Sequence, residues 1–131
     1  MDKVYYNMIM SNIVGYGDEA AIDYSNFNTK ILKKILNDFA MLRSKYNIYG
    51  RGIMNQFLFD VSSVLPCIDF TDVQCRRLLM WFDGYNESEI ASVEGVTRWV
   101  VSKSLHSACE KILTELEQLE EWIILLSLTK I

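Results

Sequence analysis

The chain has 131 residues, half of them apolar, with seven Tyr, six Phe, three Trp and six Met among them, enough to build one domain around a sizeable core. One Pro, six Gly and 23% charged residues exclude a disordered, collagen-like or turn-rich all-β chain. The 13 Lys and Arg against 17 Asp and Glu give a net charge of −4, split as 7 against 7 in 1–70 and 6 against 10 in 71–131, so any anionic partner must be met by a local patch.

Residues 1–25 carry Gly15, Gly17 and Asp18-Glu19 and read as a short apolar helix or extended arm through about Ile13, followed by a loop. After Asn28, an N-cap candidate, Ile31, Leu32, Ile35, Leu36, Phe39, Leu42 and Tyr46 form a 3.6-residue stripe. Lys30, Lys33, Lys34 and Asp38 lie on the other face, and the pattern predicts one helix closed by Asn47 and Gly50. Ile53, Phe57, Val61 and Leu65 recur every four residues until Pro66 stops a second helix, leaving 66–71 as a seam. Thr71-Asp72 caps a third helix bearing Val73, Leu78, Leu79 and Phe82 and ending at Asp83-Gly84. A fourth runs from about Glu87 to Val93 and stops at Gly95. A fifth starts after Thr97 and continues to about Ser127, because neither Gly nor Pro interrupts 96–131. The expected fold class is all-α.

The stretch from Asn86 to Leu105 carries the most information. Small Ala91 lets two helices cross closely, Gly95 permits the positive φ of a tight turn, and Ile90, Val96, Val101 and Leu105 supply a small core that fixes the crossing angle. Thr97 caps the next helix, whose first turns are expected to present Arg98, Trp99, Ser102, Lys103 and His106 on one outward face.

With Phe70-Thr71-Asp72 and the Leu78-Leu79 helix upstream, residues 70–113 resemble the helix-turn-helix of sigma factor region four and its small bacteriophage relatives, including the ArpU-type late-gene regulators. The resemblance covers about one third of the chain. It implies a helix-turn-helix over 70–113; residues 1–69 read as an N-terminal helical region that resembles no named family, and 114–131 as a C-terminal helical extension for packing or oligomerisation. It further implies a cytoplasmic, phage- or mobile-element-encoded regulator of transcription that binds double-stranded DNA sequence-specifically. The recognition helix would begin at Thr97 and enter the major groove, reading with Thr97, Arg98, Trp99, Ser102, Lys103 and His106, while Arg76 and Arg77 touch phosphates. Glu94 departs from the pattern, since the family usually has an apolar residue there; either Val93 rotates into its place or the turn differs.

Two other readings stay open: a plain helical hairpin, and a helix-turn-helix scaffold that binds protein, such as a phage inhibitor of a host machine of the anti-CRISPR kind. Within 96–111, Arg98, Lys103 and Lys111 stand against Glu110, a local balance of only +2. Binding per module is then weak, which makes a homodimer, RNA polymerase or another host protein a useful partner.

Leu105, Cys109, Ile112, Leu116, Leu119, Ile123 and Leu126 alternate spacings of four and three, as in a coiled-coil seam. A parallel dimer would set Glu115 against Glu120, so docking on the 28–65 helices or an antiparallel pairing is favoured.

No enzyme, cofactor or metal is expected. Ser102, His106 and Glu110, stacked on one helix face, lack oxyanion donors and a cleft. Cys67, Cys75, Cys109 and the single His cannot assemble a standard zinc site and are read as reduced, mostly structural thiols. No signal peptide or membrane span is visible, and the Asn86-Glu87-Ser88 sequon is accidental. Tyr5, Tyr6, Phe57 and Phe59 are assigned to the core rather than to base stacking.

Overall fold

The computed structural model describes residues 13–14, 21–49 and 52–129, with helical side chains up to Ser44 and from Asn55 to Leu119. The expected N-terminal helix or arm falls largely outside them. Ile13–Val14 (β1) pairs antiparallel with Ala21–Ile22 (β2), with Ile13 opposite Ile22, and a 3-10 turn over Tyr24–Asn26 follows. Everything else that is regular is helical, and the fold is all-α.

Asn28 starts α1, Thr29–Leu36, by accepting the Ile31 amide on Oδ1 at 2.8 Å. The single helix expected from 28 to about 46 is in fact two, with α2, Phe39–Tyr49, beginning after a break at Asn37-Asp38. Both residues favour local turns over helix interiors, and here the Asp38 amide reaches back only three residues, to Ile35 O at 3.2 Å. A tertiary contact fixes the break: the Trp81 indole N–H donates to Asn37 Oδ1 at 3.0 Å.

Helix α3, Gly52–Val64, yields to a 3-10 turn at Leu65–Cys67, where Pro66 stops it as expected. Reciprocal capping boxes open the next two helices. Thr71 and Gln74 start α4, Asp72–Phe82, and Asn86 and Glu89 start α5, Glu87–Glu94. The Asn86 side chain is thus committed to the Glu89 amide. The last helix, α6, spans Arg98–Thr129.

Helix α6 is the axis of the fold and packs against α1, α3, α4 and α5. Its Val101, Leu105, Ala108, Cys109, Ile112 and Leu116 are fully buried among Leu32, Ile35, Leu36, Phe57, Val61 and Trp81. Burying each Leu, Ile or Val is worth about 1.5–3 kcal/mol. The described part of the heptad seam is therefore consumed inside the chain, with Leu119 packed at its edge. The side chains of Ile123 and Leu126 lie outside the described residues.

Three apolar assignments on α3 and α4 change. Phe59 is 67% exposed and Leu79 69%, and Val73 is exposed too. Trp81, buried to 1%, takes the inward place on α4. At the far end of the core the Tyr24 hydroxyl donates to Asp60 Oδ2 at 2.7 Å, and burial pushes both pKa values up. No helix among the described residues is long and apolar enough to cross a membrane.

The α5–α6 turn depends on Gly95, at φ +69°, with open space where a Cβ would stand. Gly95→Val should therefore lose about 1–2 kcal/mol through backbone strain alone, and Gly95→Asn less, because Asn tolerates the left-handed region. Thermal melts of both variants check this ordering; an unaltered Val variant would contradict it.

Candidate nucleic-acid interface

Ile90 and Ala91 of α5 and Val101 and Leu105 of α6 are all buried, and the two helices pack against each other. The Val96 amide donates to Ala91 O at 3.1 Å, closing α5 over the glycine. Val96 itself is 38% exposed and does not belong to that small core. Thr97 Oγ1 accepts the Val100 amide at 3.4 Å, a long capping contact.

Glu94, where the resemblance leads one to expect an apolar residue, turns inward. Its carboxylate, 8% exposed, accepts from Arg77 Nε at 2.8 Å and Arg76 Nε at 3.3 Å, while Val93 stays in solvent. The inward-facing acid is accommodated because α4 supplies the guanidinium that pairs with it. Burial raises the Glu94 pKa, but the hydrogen bonds and charges of Arg77 and Arg76 outweigh burial and hold it below the ordinary value. Arg77, whose side chain is only 9% exposed, is consequently withdrawn from the expected phosphate contacts. Arg76 keeps an exposed side chain but shares Glu94.

On α6 the expected reading face divides. Trp99 is 68% exposed, with the Lys103 ammonium 5.0 Å from its ring centroid, a cation–π contact that holds the two side chains together. His106, one turn further on, pairs with Glu110 at 3.2 Å. Thr97 and Arg98 are exposed at the start of the helix.

Ser102 does not join them. Its Oγ accepts from Lys33 Nζ of α1 at 2.8 Å, its carbonyl accepts from the same ammonium at 3.2 Å, and Lys33 also pairs with Glu87 at 3.2 Å. This clamp turns Ser102 toward the N-terminal helices, so Ser102, His106 and Glu110 do not line up as a relay. Lys111 is likewise diverted: its ammonium donates to Asp69 O at 3.0 Å and Gln74 Oε1 at 2.8 Å, tying the 66–71 seam to α6.

The thiols divide as well. Cys109 is buried and pushed up to about 12 by that burial, an unreactive core residue, whereas Cys67 and Cys75 are exposed. Among the described residues no group of three His, Cys, Asp or Glu is placed to hold a metal.

Sequence reasoning passed over Lys30 and Lys34. Both line an open groove with Arg98, because α1 packs beside the start of α6. Their helical spacing put them on the solvent face, but nothing local in the sequence placed that face next to residue 98.

No family model, no curated protein and no solved structure matches the chain.

Replacing Glu94 by Gln removes the charge that compensates buried Arg77 and should cost on the order of 3 kcal/mol near neutral pH. Because the native pKa is depressed, the wild-type advantage is full above the ordinary carboxylate value and disappears as pH falls through the native one. Denaturant melts of the two proteins across the acid range check the sign; a gap that widens on acidification would contradict it.

Proposed function

We propose that the chain is a cytoplasmic, sequence-specific DNA-binding regulator of transcription, encoded by a phage or mobile element, with α5 and α6 acting as its helix-turn-helix. The observation that carries this reading is the outward set Arg98, Trp99, Lys103 and His106 on the first turns of α6, immediately after a left-handed glycine turn. On that reading Arg98 and Lys103 offer donors to guanine O6 and N7, and Trp99 offers apolar surface to a thymine methyl. From Trp99 to His106 the helix rises about 10 Å, which spans roughly three base pairs. Exposed Glu110 and Glu117 lie further along α6 and repel phosphate, so the N-terminal end enters the groove.

A module this small binds weakly, and a homodimer or contact with RNA polymerase would raise affinity and set half-site spacing.

One observation favours a second reading, a phage-encoded inhibitor of a host protein machine. An open groove lined by Phe39, Leu65, Leu79, Met80, Phe82 and Tyr85 carries the exposed Leu79, apolar surface of the type protein partners cover.

A salt titration of binding to random-sequence duplex DNA separates the two readings. The DNA reading expects affinity to fall steeply with salt, and the Arg98→Ala/Lys103→Ala double variant to lose about 1–3 kcal/mol per base-reading residue while staying folded. Unchanged affinity in that variant would sink the reading as placed; complete absence of DNA binding would favour the inhibitor.

A further inference from the structure

We infer that α1 is a second contact element for the same DNA, with Lys30 and Lys34 holding a phosphodiester strand beside the recognition helix. The inference rests on the DNA reading above. A groove of about 720 Å³ opens between α1, the start of α5 and the start of α6, and its walls carry Lys30, Lys33, Lys34 and Arg98 against a single carboxylate, Glu87.

That carboxylate is already engaged. Glu87 pairs with Lys33 at 3.2 Å and lies 4.0 Å from Arg98, and Lys33 is further committed to Ser102. Lys30 and Lys34 are exposed and have no ion pair among the described residues. They sit four apart on one helix, where like charges are mutually unfavourable until an anion lies between or above them.

Arg98 joins this groove to the reading face, since its side chain is 73% exposed at the groove's edge and its neighbour Trp99 begins the outward stripe. A strand bordering the major groove that receives α6 would therefore run over α1. Lysine suits this role because it meets phosphate as a point charge and reads no base. The groove is open rather than enclosed and is rimmed by long flexible cations, which fits a polyanion passing through it.

The test is the Lys30→Ala/Lys34→Ala variant of the full chain, measured by fluorescence anisotropy against one A·T-rich and one G·C-rich duplex at several salt concentrations. The slope of log affinity against log salt should become shallower by about 1.8, two phosphate contacts, with the same fold loss on both duplexes. The Lys30→Arg/Lys34→Arg variant should restore the wild-type slope, and thermal melts should be unchanged because both side chains are exposed. An unaltered slope in the Ala variant, with the Arg98→Ala/Lys103→Ala variant still impaired, overturns this inference and leaves the DNA reading standing. A loss confined to one duplex overturns the phosphate assignment. No binding by the wild type overturns both.

Discussion

The buried face of α6 is the constraint on which the other elements depend. Val101, Leu105, Ala108, Cys109, Ile112 and Leu116 form one continuous apolar line, and α1, α3, α4 and α5 each bury their own apolar face against it. Because the helix is a rigid cylinder, fixing one side fixes the other: with Val101 and Leu105 inward, Trp99, Lys103 and His106 must point out. The core therefore aims the proposed reading face, and a core substitution that rotates α6 would misdirect it without touching an exposed residue.

Two polar clamps refine that aim, one at each end of α5. At its C-terminus Glu94 binds Arg77 and Arg76 of α4; at its N-terminus Glu87 binds Lys33 of α1, which also holds Ser102 of α6. Each clamp uses a cation that the sequence offers as surface charge. Arg77, Lys33 and Lys111 are spent on geometry, and Arg98, Lys103, Lys30 and Lys34 remain outward. A chain with net charge −4 can thus still present a local positive surface, because its acids at 87 and 94 are neutralised internally. Desolvation offsets much of the attraction in the more buried Arg77–Glu94 pair, so its worth shows mainly when one partner is removed and a charge is left uncompensated.

Elements with local signals were legible in the sequence, and those decided by tertiary contacts were not. Thr71, Pro66 and Gly95 all act within a few residues, and the boundaries they set match the helices found to within about a residue. The break at Asn37-Asp38 was hidden because the apolar stripe runs through it unbroken, and the partner that fixes it, Trp81, lies 44 residues away. Ser102 and Arg77 were misplaced for a related reason. Helical spacing says which side a residue occupies, but Lys33 and Glu94 determine whether that side meets solvent or another helix. Phe59 reverses the usual inference from hydrophobicity, since single exposed apolar residues are common on folded proteins.

The central claim is that the outward turns of α6 read base edges rather than merely attract phosphate. Selection of bound duplexes from a fully randomised pool by the intact chain, at near-physiological salt, tests it most directly. The account predicts enrichment of a short sequence over successive rounds, with information concentrated in about three adjacent base pairs per module. A retained pool that stays random, despite measurable binding, would contradict it and reduce the interface to electrostatic attachment.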